Sequence, residues 1–111
     1  MVPVSSSPAD DGARRAEHLL RLLADGDRAG ADALLGDLDV RALTFTGAGL
    51  TTLARAERHT LLPGQRAQAN TRQMRLGQQR DGARRSDPTA LRAWLIAAAE
   101  EVLFLRSLAR V

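Results

Sequence analysis

The sequence predicts an all-α fold: a small bundle of four or five helices that opens on an N-terminal αα-hairpin and closes on a long C-terminal helix. Three observations predict it. Leucine and alanine recur at three- and four-residue spacing over much of the chain, which is the repeat of a helix face. Asp27, Asp39 and Asp87 stand just ahead of such runs, and aspartate is a strong helix N-cap. Aromatic residues are confined to Phe45, Trp94 and Phe104, with no tyrosine, whereas sheets favour β-branched and aromatic side chains.

Residues 1–9 read as a disordered tail rich in Ser and Pro, and residues 10–111 as a single helical domain. From Ala13 to Ala24, apolar residues fall at Ala16, Leu19, Leu20 and Leu23, one face of a helix. Gly26 is its stop and Asp27 the cap of the next helix. That second helix, Arg28 to Gly36, places Ala31, Leu34 and Leu35 inward. The short Gly-Asp turn returns it antiparallel to the first.

Asp39 then caps a third helix carrying Val40, Leu43, Gly47, Leu50, Ala54 and Leu61 on one side, with Gly47–Gly49 as a place for a kink. The alternative is a short strand VRALTF, a TGAG turn and a helix from Leu50, because Thr44, Thr46 and the two glycines lower helix propensity. Cap and spacing favour the helix. Pro63-Gly64 is expected to end the element. Residues 63–86 are polar and rich in Arg and Gln, either a solvated helix or a loop, with Ala67, Asn70, Met74 and Gly77 as a thin stripe. Asp87-Pro88 starts the last helix as N-cap and first-turn proline. Leu91, Trp94, Leu95, Ala98, Val102, Leu105 and Ala109 share its broad face. Trp94, Ile96, Leu103 and Phe104 extend the apolar surface beyond a single seam, so they are the expected interface with a second subunit or partner.

The 111 residues suffice for a core without cross-links, and the absence of cysteine fits a reducing cytoplasm. MVPVSSSP lacks the basic start and apolar run of a signal peptide. The apolar stretch Ala93–Leu105 is broken by Glu100 and Glu101 and too short to span a bilayer. The expectation is a soluble cytoplasmic protein without membrane association.

No constellation of catalytic residues stands out, and neither an enzyme nor a cofactor is expected. His18 and His59 sit in separate elements with no cysteine to complete a metal set. Ser5, Ser6, Ser7, Ser86 and Ser107 have no histidine nearby in sequence. Charge is more informative. All sixteen basic residues are arginine, as a high-GC genome produces. Residues 1–40 carry a net −4, residues 41–85 a net +7, and residues 86–111 are neutral. Such asymmetry suits an electrostatic partner, or pairing of the two parts within the fold or an oligomer. Arg66, Arg72, Arg75, Arg80, Arg84 and Arg85 are candidate phosphate contacts. They have no aromatic residue among them for base stacking and no helix-turn-helix pattern around them. The leading expectation is a protein–protein interaction or accessory protein, self-associating or with a protein partner. The alternative is a nucleic-acid-binding accessory using residues 63–86.

Three resemblances bear on this. HLLRLLADGDRAGADALLGDLDVRAL, LTTLARAERH and DPTALRAWLIAAAEEV resemble small, uncharacterised all-helical proteins of high-GC bacteria and their phages; the resemblance implies the fold and no activity. Thr46, Gly47, Ala48 and Gly49 resemble the TGAG turn of the sirtuin NAD-binding domain. That family's continuation is missing here, as are the third glycine and acidic residue of a dinucleotide fingerprint. DVRALTFTGAGLTTLARAER resembles the strand-turn-helix of STAS-type anti-anti-sigma regulators, with Thr46-Gly47 where that family has Asp-Ser. The last two would imply a degenerate regulatory or nucleotide-binding α/β domain, and both require residues 40–49 to be a strand.

Overall fold

A computed structural model describes residues 7–83 and 87–109. They form five helices: α1 Pro8–Ala24, α2 Arg28–Gly36, α3 Val40–His59, α4 Pro63–Ala83 and α5 Pro88–Ala109. No strand occurs among the described residues, so the all-α reading holds and the α/β alternatives fall.

Local signals explain the boundaries. α1 starts five residues before the expected Ala13, so Pro8 and Ala9 of the expected tail are helical, while residues 1–6 of it lie outside the described residues. Ser7 is its N-cap, with Oγ accepting from the Asp10 N–H at 3.1 Å, Pro8 takes the first turn, and Asp10 and Asp11 supply first-turn acids. Gly26, at φ 77°, turns the chain out of α1. The N–H groups of Gly26 and Asp27 donate back to Leu23 and Leu22 carbonyls, the double bond of a Schellman stop. Asp27 and Asp39 then cap α2 and α3, each accepting a backbone N–H at 2.8 Å.

α3 is helical through the whole TFTGAG segment. Its threonines do not break the helix, because Thr44, Thr46, Thr51 and Thr52 donate their hydroxyls to carbonyls four residues back. The glycines serve close packing. A Cβ on Gly47 would fall 2.5 Å from the Trp94 ring, and one on Gly49 would fall 3.1 Å from Ala13 Cα. On the facing helix, Gly12 lies directly against the Phe45 backbone.

Pro63-Gly64 opens α4 instead of closing α3. The Gln65 side chain reaches back to accept the Leu62 N–H at 3.0 Å, the return half of a capping box. The same side chain donates to the Leu108 carbonyl at 3.1 Å. The docked face of α4 is also not the expected stripe: Ala69 is fully buried and Leu76 half-buried, while Ala67 and Asn70 are exposed and Met74 is 69% exposed.

The pairs Gln65–Leu108, Arg72–Glu101 and Leu76–Trp94 run α4 antiparallel to α5. Gly47 against Trp94 and Glu57 against Arg106 make α3 and α5 parallel. With α2 and α4 as return helices, α1, α3 and α5 point the same way. α5 touches all four other helices and is the central element. Its Leu91, Leu95, Ala99 and Val102 meet Ala16, Leu19 and Leu20 of α1, Ala31 and Leu35 of α2, and Leu43 and Leu50 of α3 in one core. Leu61, Ala69 and Leu105 form a smaller cluster under the start of α4.

Candidate functional site

The arginines of α4 do not act as a set. Arg66 donates through Nη2 to the His59 carbonyl at 3.3 Å, at the end of α3. Arg72 donates through Nε to Glu101 Oε2 at 2.7 Å, and its guanidinium carbon lies 4.0 Å from the centroid of the Phe104 ring. Arg75 faces a groove between helices. Arg66 and Arg75 project about 180° apart around a helix of 3.6 residues per turn. Arg80 belongs to α4, its side chain lying outside the described residues, as do Arg84 and Arg85 altogether. Of the six expected phosphate contacts, the fold brings Arg72 and Arg75 together and holds Arg66 apart from them.

A third arginine joins that pair from a different helix. Arg28 of α2, Arg72 and Arg75 line a groove of about 420 Å³ over α5. Leu76, Ala93, Ile96 and Ala97 give it apolar surface, and Glu100 is its carboxylate. Arg28 also donates to Asp32 Oδ1 at 3.2 Å. A second depression lined by Arg28, Ala93 and Ile96 adds Arg92 and Thr89, so the basic, partly apolar strip continues along α5. Sequence reasoning missed Arg28 and Arg92, because the charge imbalance pointed only to residues 41–85. The arginines of the groove come from α2 and α4, which no local pattern connects.

The four residues expected at an apolar interface divide between burial and partial exposure. Trp94 and Ile96 are buried within the single chain, and Leu103 and Phe104 are half-buried. Trp94 Nε1 donates to the Leu76 carbonyl at 3.1 Å, so α4 covers the surface expected to remain free. Large exposed apolar side chains among the described residues are Val40, Leu62 and Met74, which are dispersed over three positions of α3 and α4 and their junction.

Glu101, read in the sequence as an interruption of an apolar run, is instead a buried member of that run, its side chain 6% exposed. Burying a carboxylate is costly unless it is paired and hydrogen-bonded. Arg72 supplies the pair to Oε2, and Oε1 has no hydrogen-bond partner among the described residues. Among the described residues, one ion pair runs from α4 to α5, Arg72 to Glu101, and another joins α3 and α5, Arg106 Nε to Glu57 Oε1 at 3.0 Å.

Among the described residues no group of three or more His, Asp or Glu side chains gathers as metal ligands would, and no helix is long and apolar enough to cross a membrane. Compared with known proteins, the chain matches no family model, no curated protein and no solved structure.

Proposed function

We propose that this chain is a non-enzymatic cytoplasmic interaction protein that docks an acidic, partly apolar segment of a protein partner in the groove between α2 and α4. One observation carries the reading: Arg28, Arg72 and Arg75 converge from two helices on a groove with an apolar component. Arginine suits this role, since its planar fork binds carboxylates bidentately and its stem lies well on apolar surface. Glu100 gives the partner a contact for one basic group, and it disfavours a ligand that is uniformly anionic.

Nucleic acid fits less well. The α4 arginines face different ways around the helix, Phe104 lies beneath Arg72, and no aromatic ring lines the groove for a base to stack on. Self-association through α5 loses its main support with Trp94 and Ile96 buried.

The test is site-specific photo-crosslinking in the native host, with the reactive side chain at Ala97 in the groove or at exposed His18 on α1. A protein adduct specific to Ala97, lost when Arg28 and Arg75 are both changed to Glu, supports the reading, provided the captured segment is acidic. Adducts to nucleic acid, a partner segment that is basic, or equal adducts from both positions overturn it.

A further inference from the structure

We infer that the cavity between α3, α4 and α5 is a binding site for a small uncharged amphiphile, whose head group accepts a hydrogen bond from Arg58 and donates one to Glu101. The site adjoins the groove, sharing Leu76 with it and joined to it by the Arg72–Glu101 pair, but the inference does not rest on the groove's proposed role.

The cavity has a volume of about 120 Å³, and Leu50, Ala54, Trp94 and Leu105 contribute apolar walls. Four polar side chains also line it: Thr51, Arg58, Gln73 and Glu101. The Thr51 hydroxyl is already committed to the Gly47 carbonyl. Arg58 Nε and Glu101 Oε1 are not: both are buried and neither has a hydrogen-bond partner among the described residues. One is an obligatory donor and the other, as a carboxylate oxygen, an acceptor. Buried polar atoms in native proteins are nearly always satisfied, and the side chains that carry these two orphans both line the cavity, which points to a guest that satisfies both.

Their opposite character defines the guest. A carboxylate would accept from Arg58 but be repelled by the free oxygen of Glu101. An ammonium would donate to Glu101 but be repelled by Arg58. A primary carboxamide or a hydroxyl does both without charge. The walls set the rest: an apolar protein cavity of roughly 150 Å³ takes a benzene molecule, so an apolar body with head group of about six heavy atoms suits this volume.

The experiment uses three probes that share a branched four-carbon body: isobutyramide, isobutyrate and isobutylammonium. Trp94 is the sole tryptophan of the chain and lines the cavity, so its emission and its indole N–H resonance report occupancy. Isobutyramide should shift both saturably, with a dissociation constant of about a millimolar, as expected for so small a ligand. At matched ionic strength the two ions should bind at least about tenfold more weakly, and Arg58→Met, which removes the donor, should weaken the amide by about tenfold (roughly one bond's worth). Should Arg58→Met fail to fold, the charge discrimination in the wild-type chain decides alone. Absence of a saturable response to any probe, meaning a cavity that holds water only, overturns the inference. So does an ion that binds as tightly as the amide, or amide binding indifferent to Arg58→Met in a folded variant.

Discussion

The Trp94 ring packs directly onto Gly47, so that a Cβ at position 47 would sit 2.5 Å from it. The ring has little room to give way, being buried and anchored by its N–H to the Leu76 carbonyl. Gly47→Ala therefore sets a helix-propensity gain of about 1 kcal/mol against an overpacking cost of about 1–3 kcal/mol. The tight contact places the cost near its upper end, and the expected net loss is about 2 kcal/mol. Gly36, also helical, has nothing within 4 Å of the same virtual atom, so Gly36→Ala should stabilise by about 0.4–1 kcal/mol. Urea denaturation of both variants checks the contrast; equal effects would refute the packing role of Gly47.

Gly12 poses the harder version of this constraint. A side chain there would run into the carbonyl group of Phe45, and backbone cannot rotate away. Gly12→Ala should separate α1 from α3 and cost about 3 kcal/mol or more. For a domain of this size that is a fall in Tm of roughly 10–20 °C, measurable by circular dichroism.

Arg72 and Glu101 form an unequal pair, with Arg72 49% exposed and Glu101 6% exposed at the side chain. Arg72→Met leaves a buried carboxylate without its ion. A fully buried pair would lose about 3–5 kcal/mol, but water can partly replace a half-exposed guanidinium, so we expect about 1–3 kcal/mol. Adding Glu101→Leu should recover most of that loss. A double-mutant cycle reads the coupling directly, and a double variant no more stable than Arg72→Met would contradict it.

Leu95 is completely buried on the central helix. Leu95→Ala should cost about 2–5 kcal/mol through lost burial and a residual cavity. Phe104→Ala should cost less than Leu95→Ala, since the ring is only half-buried and its cation–π contact with Arg72 contributes about 0.5–1 kcal/mol at such sites. Chemical denaturation of the two single variants settles the order.

What the sequence made legible was what residues do locally. Asp27, Asp39 and Asp87 act on neighbours two or three positions away, and the leucine spacing of α1, α2 and α5 tracks burial because those faces are nearly all apolar. α4 resisted the same reading. Among its described residues the only fully buried one is an alanine, Ala69, and prominent attachments are polar: Gln65 to Leu108 and Arg72 to Glu101. Hydrophobic periodicity cannot register a helix held that way, which is why the stripe expected through Met74 misses the docked face. The same blind spot hid the cover over Trp94. The groove and the cavity were illegible for a different reason, since Arg28 with Arg75, or Arg58 with Glu101, meet only through the packing of separate helices.

The common direction of α1, α3 and α5 has an electrostatic consequence. Each helix carries a macrodipole equivalent to about half a negative charge at its C-terminal end; three such ends add, and the opposed α2 and α4 cancel only part of the sum. The last turns answer this with Arg21 on α1, Arg58 and His59 on α3, and Arg106 on α5. At the opposite ends Asp10, Asp39 and Asp87 meet the positive poles. Side-chain charge thus runs along the bundle in the sense that offsets the backbone field, and the aligned architecture carries less electrostatic strain than its helix directions alone would impose.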